Sequence, residues 1–228
     1  MSTSATSLTP GLHIITDTTP DVSIILSGIV HLHAACILND GTLATFLPPL
    51  SHDVMYEWWR ERLAETTGAV GTARQRHIIV CIGEVSRRTG NVNLDLSAPW
   101  SAEEGRDNWP ALKNGLEVSG VVSLSTPFSQ TGPFRALVQK LFVSPLHRRQ
   151  GIARRLMVKL EDVSMASGRW SLMLDTEVGS PAENVYPRLG YEKLGVVREY
   201  GISPKDGRLV DEVWFWKDLR KGRLEARD

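Results

Sequence analysis

The hydrophobic pattern of this chain predicts seven short strands and four helices. Apolar runs of strand length lie at residues 12–16, 77–85, 117–125, 137–143, 170–176, 194–198 and 210–216. Apolar residues at helical spacing lie at residues 20–38, 51–65, 150–167 and 180–189. Thr19 and either Ser51 or Asp53 are the expected caps of the first two helices. This order of elements predicts an α/β (α+β) fold with a mostly antiparallel sheet of six to seven strands.

Three stretches fall outside this pattern. Residues 1–10 are rich in Ser and Thr and are expected to form a flexible tail, as are residues 221–228. Residues 86–116 are rich in Gly, Asn, Pro and charge, and predict a long insert. We therefore expect one domain over residues 11–220. We also expect no segment that approaches the length of a membrane span.

The charge of the chain limits its partners. Lys+Arg and Asp+Glu both total 26, so the formal net charge is zero and neither nucleic acid nor an anionic membrane is an expected partner. Basic residues are instead concentrated between Lys140 and Lys159, which suits a small polyanion. Cys36 and Cys81 lie in apolar surroundings without CxxC spacing. Reduced, buried thiols in a cytoplasmic protein are the expected reading.

A turn between a strand and a helix is the most informative segment. The strand at 137–143 is followed by a short turn, and Gly151 then opens a long amphipathic helix. Such a turn leaves the first N–H groups of the helix without backbone partners, at the positive end of the helix dipole. This arrangement binds anions such as phosphate, and Arg148 and Arg149 add positive charge there. The alternative is an ordinary turn with solvated arginines.

Two motifs resemble those of the GCN5-related N-acetyltransferases, the GNAT superfamily. Arg-x-x-Gly-x-Ala, at Arg148, Gly151 and Ala153, is similar to the acetyl-CoA pyrophosphate loop of that superfamily. Tyr-x-x-Leu-Gly-Tyr, which begins at Tyr186, resembles its signature helix. The phrase Leu-Asp-Thr-Glu at residues 174–177 is similar to the tabtoxin-resistance-type acetyltransferases within it.

This resemblance implies the GNAT fold, a mixed, mostly antiparallel sheet flanked by four helices. It also implies acetyl-CoA as a co-substrate, without a metal. Backbone groups at the end of the fourth strand would hold the pantetheine arm, and the turn would hold the pyrophosphate. The implied cofactor-binding residues are Leu141, Phe142, Val143, Arg148, Arg149, Gln150, Gly151, Ile152, Ala153 and Arg154.

The resemblance further implies how protons move. Tyr186 is the candidate general acid for the leaving thiolate, because a phenol has a pKa of about 10, near that of a thiol. The alternative is that Tyr186 only packs on the cofactor. The fourth strand lacks the glutamate that some members use as a base, and Gly179 stands where many members have Asn. Asp175 is the leading candidate base, followed by Glu177 and Glu84, although each also suits a structural role.

The acceptor pocket of such acetyltransferases is walled by the loop and helix between the first two strands. Phe46 in the loop at 41–50, and Tyr56 and Trp59 in the helix, are therefore candidate substrate-binding residues. His33 on the first helix and Glu84 on the second strand complete the set. Packing in the core is the alternative for each aromatic residue and for His33.

These features predict an N-acetyltransferase that moves an acetyl group from acetyl-CoA directly to a small amine. The expected acceptor is an amino-acid-like compound, a toxin or an antibiotic. A protein or peptide N-acetyltransferase and a non-catalytic acyl-CoA-binding module are the alternatives. The expected assembly is a monomer or a homodimer.

Overall fold

A computed structural model describes residues 8–68, 74–85, 112 and 115–221. The predicted tails and the insert at 86–116 lie mostly outside these residues. The strands are β1 (Gly11–Ile15), β2 (Arg76–Glu84), β3 (Leu116–Ser125), β4 (Arg135–Val143), β5 (Ser171–Glu177), β6 (Glu192–Ile202) and β7 (Leu209–Asp218). The α-helices are α1 (Val22–Asp40), α2 (His52–Ala64) and α3 (Ile152–Ala166).

The seven strands form one sheet in the order β1-β2-β3-β4-β5-β7-β6. Neighbouring strands are antiparallel except for β4 and β5, which run parallel. The predicted mixed, mostly antiparallel sheet is therefore confirmed. The parallel pairing extends only from Arg135 opposite Ser171 to Leu137 opposite Met173, so β4 and β5 separate beyond this point.

Helix α1 corrects one expectation. It has 19 residues and a mean hydropathy of 1.8, so it has the length and composition of a membrane span, contrary to our expectation. However, 61% of its most apolar window is buried inside the protein, and it packs against β3, β4 and α2. Its apolar composition is therefore that of a core helix that is covered on several sides.

The helix caps are partly as predicted. Ser51 caps α2, and its hydroxyl accepts a hydrogen bond from the Val54 N–H at 3.4 Å. The prediction that Thr19 caps α1 is wrong, because Asp21 is the capping residue and makes no capping hydrogen bond through its side chain. The Thr19 hydroxyl instead accepts a hydrogen bond from the Thr16 N–H at 2.8 Å, which closes the turn after β1.

The sheet separates two hydrophobic cores. One lies between the sheet and the helices α1 and α2, and the other lies between the sheet and α3. On β5 and β7, residues such as Leu174 and Phe215 face the α3 side. Their neighbours in sequence, Asp175 and Trp214, lie on the opposite face because side chains alternate along a strand.

A β-bulge in β4 reverses this alternation. Lys140 and Leu141 together stand opposite Val122, and Lys140 has a φ of 56°. Before the bulge Val138 packs on the α3 side, whereas after it Phe142 packs on the α1 side. Leu141, like Val138, packs on the α3 side.

The fourth predicted helix, at 180–189, is wrong. The segment forms two short 3-10 turns, Pro181–Asn184 and Pro187–Leu189. Pro187 has no N–H to donate to the residue four positions earlier, so a continuous α-helix would lose a bond there. Gly190, with a φ of 81°, ends the second turn.

Candidate active site

The turn before α3 has the geometry of an anion-binding site. Gly151 is the N-cap residue of α3, with a φ of 72°, and no side chain caps the helix. The first turn contains no acidic residue. A Cβ atom built on Gly151 would meet no atom within 4 Å in the part of the chain that the structure describes. The N–H groups at the start of α3 therefore face open space without a capping group.

The side chains of this turn divide into two sets. Arg149, Gln150 and Arg154 are exposed. Ile152 is buried, and its side chain lies so close to Gly120 that a Cβ atom added there would touch it. Ala153 is half-buried and lies in the first turn of α3. Because its side chain is buried, Ile152 can contribute only its backbone N–H to a ligand site.

Arg148, which we predicted to contact the cofactor, is engaged in another interaction. The Arg148 guanidinium forms an ion pair with Asp40, the last residue of α1, so this side chain joins the turn to α1. Arg149 and Arg154 remain directed to solvent on the described surface.

The gap between β4 and β5 continues from this turn. Leu141, Phe142 and Val143 lie in this part of β4, where β3 is the only paired neighbour among the described residues. Cys36 of α1 donates a weak hydrogen bond from Sγ to the Val143 carbonyl oxygen at 3.7 Å. Burial raises the pKa of the Cys36 thiol to about 12, and neither cysteine is in a disulfide, as we predicted.

Tyr186 lies in the segment that follows β5, between the two 3-10 turns. Its side chain is buried, and its ring packs against Tyr191 and Phe215 with centroid separations of 6.0 and 5.5 Å. Burial, followed by the nearby charge of Asp175, raises the pKa of the Tyr186 phenol well above its usual value. The phenol therefore stays protonated at neutral pH.

Asp175 is central to the electrostatics of this region. It is exposed, and its charge acts on Tyr186, on Lys140 of β4 and on Glu212 of β7. Burial lowers the pKa of Lys140 to about 8, and Asp175 partly opposes this shift. Burial raises the pKa of Glu212 to about 7, and a hydrogen bond with Asp175 adds to this shift. Asp175 is therefore close enough to influence Tyr186, and the structure adds Lys140 and Glu212, which the sequence did not identify.

Two of the residues that we predicted to line the acceptor pocket are buried behind it. Phe46 and Tyr56 are half-buried, but Trp59 and His33 are completely buried. The Trp59 Nε1–H donates to His33 Nδ1 at 3.1 Å, and His33 Nε2 bonds to the Ala44 carbonyl oxygen at 2.7 Å. Both ring nitrogens of His33 are therefore used inside the protein, and burial lowers its pKa to about 3. Trp59 and His33 lie behind the wall and do not line it.

Trp58 occupies the place that we predicted for Trp59. It is half-buried, and its ring lies 5.9 Å from Phe46 between centroids. Two cations face this ring: Arg62 Cζ at 4.1 Å and Lys140 Nζ at 5.5 Å from its centroid. Helical spacing alone does not show which side of α2 is buried and which side lies beside β4. We therefore predicted Trp59 and not Trp58.

The other two candidate acids lie in different places. Glu84 is exposed at the end of β2, and β3 separates β2 from β4. Glu177 is on β5, directly opposite Glu212 of β7. Glu212 itself escaped the sequence argument because it stands in a final strand that carries no motif. Its position in the mostly apolar strand at 210–216 was the signal that could have found it.

Comparison with known proteins shows which proteins this chain resembles. A family profile described as an acetyltransferase (GNAT) domain matches residues 104–193. A ribosomal-protein-alanine N-acetyltransferase from Brucella melitensis is similar in structure, with a TM-score of 0.59 and 16% identity over 91% of this chain and 99% of that one. An N-acetyltransferase from Staphylococcus aureus Mu50 has a TM-score of 0.59 and 14% identity, over 91% of this chain and 98% of that one.

A third structure adds a bound ligand. It is a GNAT superfamily phosphinothricin acetyltransferase from Sinorhizobium meliloti in complex with acetyl-CoA. It has a TM-score of 0.59 and 17% identity, over 93% of this chain and 89% of that one. At such identities these structures establish a shared fold. The chain therefore shares the fold of these acetyltransferases, and its residues 104–193 match the GNAT acetyltransferase domain profile.

Proposed function

We propose that this protein is an N-acetyltransferase that transfers the acetyl group of acetyl-CoA directly to a small, amino-acid-like amine. One observation carries the proposal: the gap between β4 and β5 leads directly to the uncapped N-terminus of α3. A thioester on a flexible arm needs a strand edge, and the pyrophosphate at the other end of that arm needs N–H donors. The two features lie side by side on one connection of the chain.

Acetyl-CoA is the co-substrate of GNAT enzymes, and this site suits its chemistry. The unpaired edge of β4 offers backbone groups to an amide-bearing arm, and the start of α3 offers N–H groups to a pyrophosphate. Exposed arginines beside the turn add charge. The residues that we assign to binding are Leu141, Phe142 and Val143 for the arm, and Arg149, Gln150, Gly151, Ile152, Ala153 and Arg154 for the pyrophosphate.

The transfer requires proton loss from the acceptor nitrogen and proton gain by the leaving sulfur, and the protein has groups for both. The co-substrate supplies the thioester whose C–S bond breaks. The acceptor ammonium must first lose a proton, and the carboxyl groups around Asp175 suit this task. The leaving sulfur must then gain one, and the buried phenol of Tyr186 suits it because it stays protonated at neutral pH.

The acceptor side favours a compact ligand. Its wall is formed by half-buried aromatic residues, Phe46, Tyr56 and Trp58, with Lys140 beside them. An apolar wall with few polar groups is typical of a small-molecule site, whereas a peptide needs an open groove with backbone partners. The phosphinothricin acetyltransferase among the similar structures supports the same class by analogy.

Release of free thiol from acetyl-CoA tests this function. The purified protein is assayed with a panel of amino-acid-like amines and with N-terminal peptides, and kcat/KM is compared. We expect the small amines to react at least about tenfold faster, a difference of about 1.4 kcal/mol in transition-state binding. A peptide preference of that size would favour a peptide acetyltransferase, which is the activity named for the Brucella structure. Tight acetyl-CoA binding without transfer to any amine would favour a non-catalytic module.

A further inference from the structure

Glu212 is a buried carboxyl group in the candidate active site that no motif identifies. It lies on β7, directly opposite Glu177 of β5, and it is 8% exposed. Because alternate residues of a strand share a face, Asp175, two residues before Glu177, lies on the same face as Glu212. This face is opposite to the one that packs on α3.

The Glu212 carboxylate lies close to β6 and to the connection between α1 and α2. Gly201 of β6 has no Cβ atom, but one built there would lie 2.7 Å from Oε1 of Glu212. It would also lie 2.9 Å from the side chain of Leu43. Leu43 belongs to the connection between α1 and α2, which walls the acceptor side. The carboxylate therefore lies beneath that connection, on the acceptor side of the sheet.

The charges that face Glu212 come from two strands. Asp175 and Glu177 face it from β5, and Lys140 faces it from β4 across the gap. Arg62 and Arg76 in turn face Lys140. Glu212 and Asp175 therefore share a partly buried site near Lys140, in which negative charge on both carboxyl groups is unfavourable. A proton or an ammonium group relieves that repulsion.

An independent observation also indicates a ligand on this face. Trp214 is paired opposite Asp175, and its Nε1–H is buried without a hydrogen-bond partner in the described part of the chain. A buried donor without a partner costs free energy unless a ligand or water uses it. The face thus contains an unused donor beside carboxyl groups that favour a cation.

We propose that Glu212, which shares a face of the sheet with Asp175, is the base that takes the proton from the acceptor ammonium. This inference rests on the proposed acetyltransferase function. In the step, an N–H bond of the ammonium breaks and an O–H bond forms on Glu212, so the nitrogen lone pair becomes free. The amine then attacks the thioester carbon, the C–S bond breaks, and the sulfur takes a proton from Tyr186. The acetylated nitrogen loses its second proton to the Tyr186 phenolate, directly or through water, and Glu212 releases its proton to solvent.

The first test is the pH profile of kcat/KM for Glu212→Gln. The pKa of Glu212 is raised to about 7, so wild-type activity should rise with pH through about 7. The variant should lose that rise and lose roughly 10²-fold or more in kcat, whereas acetyl-CoA affinity by calorimetry should not change. Glu212→Asp should recover part of the rate. Asp175→Asn should move the rise to lower pH, because a neighbouring acid no longer favours the protonated form.

Glu192→Gln is the matched control, because it makes the same change at an exposed β6 residue that is paired with Lys221. It should leave the profile unchanged. If wild type is active and Glu212→Gln retains both its kcat and the rise near pH 7, the assignment of Glu212 is wrong. If wild type releases no thiol with any amine, the proposed acetyltransferase function fails instead.

The second test does not depend on activity. The folded pKa of Glu212 is above the ordinary value of a glutamate, so the folded protein holds this proton more tightly than the unfolded chain. Between about pH 4.5 and 7 the unfolded chain loses it first, so Glu212 lowers stability increasingly as pH rises through this window. Glu212→Gln should therefore gain stability relative to wild type from pH 5 to pH 8. An unchanged difference in melting temperature would contradict a raised pKa.

Discussion

His147 and Glu117 form a buried hydrogen bond, directly before the turn that opens α3. His147 Nε2 bonds to Glu117 Oε1, and the two side chains are 8% and 4% exposed. Glu117 is on β3, and His147 ends the 3-10 turn that follows β4. The pair therefore connects the proposed phosphate-binding turn to the centre of the sheet.

Replacing His147 by Phe should remove this connection while a ring still fills the buried space. We expect the free energy of unfolding to fall by about 1–3 kcal/mol, because a buried hydrogen bond is lost. Acetyl-CoA affinity should fall as well. Denaturant unfolding of His147→Phe, Glu117→Leu and the double variant should give a coupling energy of about 0.5–3 kcal/mol. Additive single effects would show that the pair does not act as a unit.

Gly151→Val should weaken acetyl-CoA binding at least tenfold, about 1.4 kcal/mol. A β-branched side chain is strained at a φ of 72° and would fill the open space in front of the N–H groups. Gly168→Val is a matched control, because Gly168 follows α3, has a φ of 73° and also faces open space. It should lose similar stability but no affinity. Equal affinity of both variants for acetyl-CoA, measured by calorimetry, would refute the assignment of the turn.

Tyr186→Phe should lower kcat by roughly 10²-fold or more, with little change in acetyl-CoA affinity. The substitution keeps the ring that packs on Phe215 and removes only the hydroxyl that we propose as the acid. Tyr191→Phe removes a hydroxyl from the neighbouring ring and should leave kcat close to that of wild type. Steady-state and single-turnover thiol release measure both. Equal rates for Tyr186→Phe and wild type would reduce Tyr186 to a packing residue.

The adjacent tryptophans Trp58 and Trp59 should behave in opposite ways. Trp59→Phe leaves His33 Nδ1 without its donor and should cost about 1–3 kcal/mol of stability, with an unchanged acceptor KM. Trp58→Phe weakens a cation–π contact of about 0.5–1 kcal/mol beside Lys140, and should raise the acceptor KM roughly two- to fivefold. Denaturant unfolding and acceptor kinetics on both variants provide the comparison. The reverse pattern would restore Trp59 to the acceptor wall.

Much of this fold could be predicted from local sequence. Strand and helix periods are set by neighbouring residues, so β1 to β7 and α1 to α3 were each predicted near their observed bounds. The turn at Gly151 was also predictable, because a glycine between a strand and a helix exposes N–H groups by backbone geometry alone. The helix predicted at 180–189 failed because the apolar spacing outweighed the effect of Pro187.

The acceptor side required the tertiary structure. The bulge at Lys140 reverses the alternation along β4, so the sequence pattern does not show that Phe142 packs on the α1 side. Glu212 faces Asp175 only because β7 inserts between β5 and β6, a pairing between strands far apart in the chain. Backbone and periodicity signals are local, whereas burial and charge proximity depend on which strands pair. The sequence by itself therefore determined the elements and the proposed anion-binding turn. The tertiary structure alone decided which carboxyl groups share one face of β5 and β7, and which tryptophan lies beside Lys140.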